Sequence, residues 1–301
     1  MLANSLNHYP LITYQGDEKL LWNPISKKAF KNLPEERVRL SFVDYLIEQA
    51  RFSKNRIAFE SAVHLPKDKT KSRTDLICYN SDFNPLLLVE CKAPEIRLDA
   101  KVALQIARYN QKVCASFLLV TNGISDYWFT KNDSALTFLD VVPEPFKSST
   151  QLVRKYEYWS KRGFAGKNSH PDSRNWILES CSELYNSELS LPKYFSFEGT
   201  SPELCLSNYY RIYPIDENPK IALALTSSPY GATKLNAVLN HDGENVALLS
   251  VSLDLIASEE QKNTILQTAN GMDHLDLKSE IGFSFDQPLS SYSKALSDLM
   301  L

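Results

Sequence analysis

The chain has 301 residues, enough for two domains of ordinary size. Its 43% hydrophobic and 23% charged residues exclude a disordered or low-complexity protein, and no apolar run approaches the roughly 20 residues of a membrane span. A net charge of −3 argues against a generally basic nucleic-acid binder, but the charge is uneven: residues 1–145 hold 19 Lys and Arg against 17 Asp and Glu, whereas residues 146–301 hold 14 against 19. The opening stretch lacks the continuous apolar core of a signal peptide. Five cysteines (Cys78, Cys91, Cys114, Cys181 and Cys205) have neither paired nor metal-ligand spacing. They read as buried small hydrophobes in a reducing, cytoplasmic protein.

In chain order, the first clear element is a helix from Pro34 to about Arg51. Proline suits a first helical turn, and Glu35 and Glu36 place negative charge at the positive end of the dipole. Leu40, Val43, Ile47 and Ala50 form its apolar stripe, widened by Phe42 and Leu46. Strands follow at Ile57–Val63, Thr74–Tyr79 and Leu86–Lys92, the last stopped by Ala93-Pro94. Between the first two lies a basic stretch. From Arg51 to Arg73, seven positive residues (Arg51, Lys54, Arg56, Lys67, Lys69, Lys71, Arg73) face only Glu60 and Asp68.

A second helix runs from an Asp99 N-cap to Cys114, with Val102, Ile106, Tyr109 and Val113 on its apolar face. Strands at Ser116–Thr121 and Tyr127–Thr130 complete a mixed sheet flanked by helices, and the step from Leu86 to Thr121 is a right-handed parallel crossover. Pro143, Pro145 and Ser148-Ser149 mark a linker, giving domains 1–145 and 146–301.

The second half predicts helices near Gln151–Arg162 and Asp172–Ser187, then strands at Tyr209–Tyr213, Lys220–Thr226, Lys234–Leu239 and Val246–Leu253. Asp242-Gly243 is a hairpin signal between the last two. A short helix at Glu259–Gln267 and a strand at Ile281–Phe285 finish an α+β domain with an antiparallel sheet. His241 and His274 fall in a turn and a loop, and no acidic constellation accompanies them.

The chemistry concentrates in the first half. Alternation along a strand places Glu90 and Lys92 on one face at the end of an otherwise apolar segment. A carboxylate or ammonium there is costly unless paired or metal-bound. Taken alone, Glu-x-Lys is an ordinary ion pair. Asp75, however, lies on the preceding strand beside apolar Leu76-Ile77-Cys78, Glu36 lies in line with the core stripe of the first helix, and Gln105 and Tyr109 share a face of the second.

The order Glu36, Asp75, Glu90-Cys91-Lys92, Gln105-Ile106-Ala107-Arg108-Tyr109 resembles the PD-(D/E)xK nuclease superfamily. More narrowly, residues 1–145 resemble the N-terminal nuclease domain of type I restriction enzyme R subunits, through Pro34–Arg39, Pro85–Pro94, Gln105–Asn110 and Thr121-Asn122-Gly123. Thr74 stands where the superfamily has the proline of its Pro-Asp pair.

The resemblance implies a restriction-endonuclease-like fold and phosphodiester hydrolysis, most simply of DNA, with magnesium or, as a substitute, manganese. It implies that Asp75, Glu90 and Glu36 hold the metal, that Lys92 orients or activates water, and that Gln105 and Tyr109 position DNA or the Lys92 side chain. The basic residues Lys67, Lys69, Lys71 and Arg73 suit contacts to phosphate. No Gly-x-x-x-x-Gly-Lys-Ser/Thr is present, so the helicase motor of an R subunit is not expected in this chain. Residues 146–301 are then an accessory domain for self-association or a protein partner, with no membrane role. The alternative is a nucleic-acid-binding or assembly module that keeps the nuclease fold without turnover.

Overall fold

A computed structural model describes residues 1–63, 72–132, 135–186, 191, 193–197, 204, 206–215 and 218–301. The chain divides into one unit of Met1–Thr13 with Leu20–Val153 and another of Tyr14–Lys19 with Arg154–Leu301. No helix among the described residues is long and apolar enough to cross a membrane.

The chain opens with three short strands that the sequence pattern does not announce, β1 (Leu11–Gln15), β2 (Glu18–Asn23) and β3 (Lys28–Phe30), which pair in that order. Helix α1 (Pro34–Glu48) follows. Then come β4 (Ile57–Val63), β5 (Ser72–Tyr79), β6 (Pro85–Cys91), α2 (Ala100–Val113), β7 (Phe117–Thr121), β8 (Asp126–Asn132) and β9 (Ala135–Leu139). Strands β4 to β9 form one sheet in chain order. The only parallel neighbours among these strands are β6 and β7, with Leu88 beside Leu118 and Cys91 beside Thr121. This is the crossover expected of α2, because parallel strands need a long connection.

The sheet is sandwiched between helices. Leu76, Cys78, Leu87, Val89, Cys91, Leu119 and Trp128 face Val38, Phe42, Val43 and Leu46 of α1. Ile77, Leu88, Leu118 and Val120 face Ile106 of α2, with Val102, Tyr109 and Val113 half-buried beside it. Helix α1 is buried continuously from Val38 to Leu46, including Arg39, Ser41 and Asp44, and not along one stripe. Asp44 is covered by a second layer, in which His8 Nδ1 lies 2.8 Å from Asp44 Oδ2 and Nε2 2.8 Å from Gln49 Oε1, whereas Arg39 is covered by Glu60 of β4 and Asp75 of β5. Asp99 caps α2 as expected, accepting from the Lys101 and Val102 amides. Cys114 departs from the buried-hydrophobe reading. It is exposed at the left-handed C-cap of α2, φ 58°, while Cys78, Cys91 and Cys181 are buried free thiols; Cys205 lies outside the described residues.

Phe146 follows the proline pair yet is fully buried, stacked on Trp128 and Phe52. The first unit therefore runs past 145 to Val153. Buried Asp126 accepts a 2.9 Å hydrogen bond from the Asn4 amide. Burial pushes its pKa from 3.8 up to about 6, opposed by the Thr121 hydroxyl and that amide. Because the folded value lies above the unfolded one, the protonated carboxyl favours folding. That contribution is full below pH 3.8 and lost as pH rises through about 6. The difference is worth about 3 kcal/mol. D126N should remove this fall in stability between pH 4 and 6, and urea unfolding at both pH values checks it. A pH dependence equal to wild type would show that Asp126 titrates normally.

The second unit is an antiparallel meander. Its strands are β10 (Lys193–Phe197), β11 (Leu206–Pro214), β12 (Lys220–Ser227), β13 (Thr233–His241), β14 (Glu244–Ser252), β15 (Thr264–Thr268) and β16 (Gly271–Leu275), neighbours in chain order. Asp242 and Gly243 both have positive φ, 53° and 87°, as a tight hairpin turn requires. Alternate residues Ile221, Leu223, Leu225, Leu235, Leu239, Leu249 and Val251 are buried, and α4 (Pro171–Tyr185) contributes Trp176, Ile177, Cys181 and Leu184 to the core of this unit.

Three expectations fail here. The helix expected at Glu259–Gln267 is replaced by β15, whose alternately buried Thr264 and Leu266 pair with Val251 and Leu249; His274 consequently lies in β16. The strand expected at Ile281–Phe285 is the end of helix α6 (Leu277–Ile281), capped by Asp276 and stopped at Gly282, φ 66°. Phe283 and Phe285 pack on Trp176 instead. The helix expected at Gln151–Arg162 shrinks to α3 (Tyr156–Ser160). Helices α5 (Leu253–Ala257) and α7 (Ser293–Met300) were not foreseen.

Candidate active site

Strand β6 is buried from Leu87 to Cys91, so Glu90 has little water near it, and Lys92 just beyond is half-buried. Lys92 Nζ lies 2.6 Å from Glu90 Oε1, and the same oxygen accepts a 2.8 Å bond from Gln105 Nε2 on α2. Gln105 also reaches the Tyr109 hydroxyl at 3.3 Å. Glu90 is thus fixed from its own strand and from the helix above it.

Asp75 stands one step beyond the paired Leu76 and Val89, in the position opposite Glu90. Its Oδ2 accepts from the Cys91 amide at 2.6 Å and its Oδ1 lies 2.7 Å from Arg39 Nη2. Arg39 is the residue that sequence reasoning missed. Its buried guanidinium also lies 2.9 Å from Glu36 Oε2, 3.3 Å from Glu60 Oε1 and 3.3 Å from Glu35 Oε1. The signal was present, since Glu35 and Glu36 precede Arg39 at the i,i+4 and i,i+3 spacings of helical ion pairs. The pairing brings α1 and β5 together and places Glu36 beside Asp75.

The site carries surplus negative charge. Burial raises the Glu90 pKa to about 7, the Asp75 charge adds to it, and Lys92 opposes both. Burial likewise raises Glu36 to about 7 against the pull of Arg39, with Glu60, Asp75 and Glu35 adding. Asp75 is raised by burial and held back by Arg39 and the Cys91 amide. At Lys92, burial lowers the pKa, but the hydrogen bond to Glu90 and the surrounding carboxylates outweigh it, so the ammonium stays charged. Cys91, between Glu90 and Lys92 in sequence, points to the opposite face and its buried thiol is pushed well up, so it supplies no thiolate.

Asn122 holds the loop after Lys92. Its Nδ2 donates to Ile96 O at 3.0 Å while its Oδ1 accepts from the Ile124 and Ser125 amides. Gly123 has φ 79°, and a Cβ there would meet Val38 of α1 at 3.1 Å. These contacts explain why Thr121-Asn122-Gly123 accompanies the acidic residues.

Among the described residues no three His, Cys, Asp or Glu side chains gather closely enough to cage an ion by themselves. A magnesium ion needs only one or two carboxylates, its other places going to water and phosphate. The donors here are carboxylate oxygens, and Glu36 Oε1 is buried without a hydrogen-bond partner. Oxygen donors with uncompensated charge fit such an ion. Of the expected phosphate contacts, Arg73 is largely exposed, 3.9 Å from Glu60; Lys67, Lys69 and Lys71 lie outside the described residues.

Arg39→Gln should destabilise the metal-free protein by about 3–5 kcal/mol, because it strands buried carboxylates without their counter-charge. Urea unfolding measures this, and a cost under about 1 kcal/mol would mean that water already solvates them.

No curated protein and no solved structure matched the chain. Residues 34–143, from the first residue of α1 to beyond β9, match the family model described as type I restriction enzyme R protein N terminus (HSDR_N), so the resemblance carried by the four sequence blocks holds over this stretch and the first unit contains a restriction-related, nuclease-like module.

Proposed function

We propose that the chain is a magnesium-dependent nuclease that hydrolyses phosphodiester bonds in DNA, with manganese able to substitute. The observation that carries this reading is the Glu90–Lys92 pair at the end of the central strand, with Asp75 pinned beside it by the Cys91 amide. Asp75 and Glu90 would hold the ion, with Glu36 as a third carboxylate. When bound, the ion would supply positive charge to the scissile phosphate and to water. Lys92 orients water and offsets charge as it develops on phosphate. Gln105 fixes the Glu90 carboxylate and Tyr109 supports Gln105, so both act on positioning. Cleavage of plasmid, linear duplex, single-stranded DNA and RNA with Mg²⁺, Mn²⁺ or EDTA tests the proposal. No cleavage of any substrate under any of these conditions would refute it.

A second reading, a binding module without turnover, is favoured by one observation: Arg39 already engages Asp75 and Glu36. Calorimetric titration of Mg²⁺ into wild type and Asp75→Ala separates the two. Binding abolished in the variant supports the enzyme, and no binding to wild type supports the module.

The basic stretch is the proposed phosphate-binding segment. Replacing Lys67, Lys69 and Lys71 with Ala should weaken duplex binding and flatten its salt dependence, by a slope of about 0.9 for each phosphate no longer neutralised. An unchanged slope would make the stretch ordinary solvated surface. For the second unit we propose self-association or partner binding, since an antiparallel sheet leaves edges to be covered. The free buried thiols support a reducing, cytoplasmic setting.

A further inference from the structure

The sheet face that carries Glu90 is only partly covered. Helix α2 packs over β6 and β7, but β8 and the edge strand β9 extend beyond it. Tyr127 and Phe138 lie on the uncovered part, and Phe129 borders it, packed against the core under α2. Tyr127 is 36% exposed, Phe138 is 47% exposed and Phe129 is half-buried. Phe138 stands edge-on to both of the others, with centroids 6.2 and 5.7 Å away. Leu136, 37% exposed, continues the surface along β9.

Register connects this surface to the candidate site. Glu90 is beside Val120, and Val120 is opposite Tyr127. All three point to the α2 face, because Trp128, next to Tyr127, points into the α1 core. Tyr127 is therefore in the same cross-strand row as Glu90, two strands away, or about 10 Å at the usual strand spacing. Alternation also puts Lys131 on this face, about 13 Å further along β8. An aliphatic core face would need a covering element. Exposed rings beginning beside a phosphodiesterase-type site and ending at a cation instead match how unpaired bases are held, by stacking on aromatic side chains with the backbone near positive charge.

We propose that Tyr127, Phe138 and Phe129 form a stacking shelf for unpaired nucleobases, so that the substrate taken by the site is single-stranded or has a single-stranded end. The shelf rests on the nuclease reading for its biological sense, but its test does not require cleavage. Tyr127 offers its ring face nearest Glu90, and Phe138 supports and extends it across the sheet edge.

The test is binding of full-length protein to fluorescent oligothymidylate, oligouridylate and a blunt DNA duplex in EDTA, for wild type, Tyr127→Ala, Phe138→Ala and the ring-preserving Tyr127→Phe. Each alanine variant is expected to bind single strands about tenfold more weakly, while Tyr127→Phe and blunt-duplex binding stay within about twofold of wild type. Equal affinity for the two oligonucleotides means the shelf reads bases irrespective of sugar, and a preference assigns it to DNA or to RNA. Circular dichroism and the retained duplex affinity show that the alanine variants fold. The shelf is overturned if wild type binds no single strand, if the alanine variants bind single strands normally, or if duplex affinity falls equally. It is also overturned if light scattering shows a wild-type dimer that both alanine variants dissociate, which would make the patch an interface between copies. A protein that binds single strands through the shelf yet cleaves nothing with Mg²⁺ or Mn²⁺ would leave the shelf standing and remove the nuclease reading.

Discussion

Asp75→Ala should lower magnesium-dependent cleavage by about 100-fold or more, and Glu90→Gln and Lys92→Ala by comparable factors. On the proposed function the three side chains act on one phosphate, so their effects should not add; a double variant should be little worse than the worse single one. The expectation rests on where the groups stand. Asp75 bonds the Cys91 amide in the middle of the Glu90-Cys91-Lys92 segment, and Glu90 bonds both Lys92 and Gln105. Removing Asp75 also leaves Arg39 without its 2.7 Å partner, so a fall in stability is expected alongside. Asp75→Asn keeps an acceptor for the Cys91 amide but loses the charge that Arg39 pairs with, so it should be less stable than wild type, more stable than Asp75→Ala, and cleave as poorly as Asp75→Ala. Plasmid nicking with urea unfolding on the same samples measures both. Activity within a few-fold of wild type in a folded Asp75→Ala protein would remove Asp75 from the chemistry.

A stability effect as large as that of Arg39→Gln is expected at Phe146. Its ring has no exposed surface, stacks at 5.7 Å on Trp128 and 5.5 Å on Phe52, and meets Phe117 edge-on at 6.3 Å. Its carbonyl accepts a 2.6 Å bond from the Tyr45 hydroxyl on α1. Phe146→Ala should cost about 3–5 kcal/mol, the forfeited transfer energy plus the cavity left among rings that cannot close over it. A chain cut after Pro145 lacks this ring and the hydrogen bonds of Ser149 and Thr150 to the Gln49 carbonyl, whereas a chain cut after Val153 keeps them. The shorter piece should therefore unfold at distinctly lower urea. Equal midpoints would show that the first unit closes without Phe146.

The sequence by itself determined the first sheet. Each of β4 to β8 falls within about two residues of its expected bounds, because apolar runs cut by proline, glycine and asparagine leave few alternatives for a strand. It also determined the helix starts at Pro34 and Asp99 and the pairing of Glu90 with Lys92, which follows from period-two alternation alone. The short strands β1 to β3 and β9 were illegible, since segments of three to six residues carry little periodicity. In the second unit, Glu259–Gln267 and Ile281–Phe285 have weak local preference. Pairing with β14 made the end of the first a strand, and packing on Trp176 made the second irregular.

The candidate site divides the same way. The order of Glu36, Asp75 and Glu90 was readable in the sequence. How they are held was not. Arg39 sits on a helix whose own residues do not say what they face, and only the packing of α1 on β4 and β5 buries its guanidinium among Asp75, Glu60 and the Phe59 ring. Burial then does what no spacing encodes: it raises Glu36 and Glu90 to about 7 and makes one guanidinium the shared partner of Glu36 and Asp75. The row from Glu90 through Val120 to Tyr127 likewise joins residues 30 to 37 apart along the chain, and only strand register brings them into line. Local pattern names side chains. Which of them share a low-dielectric space is decided by tertiary packing, because desolvation and charge pairing depend on neighbours in space and not in sequence.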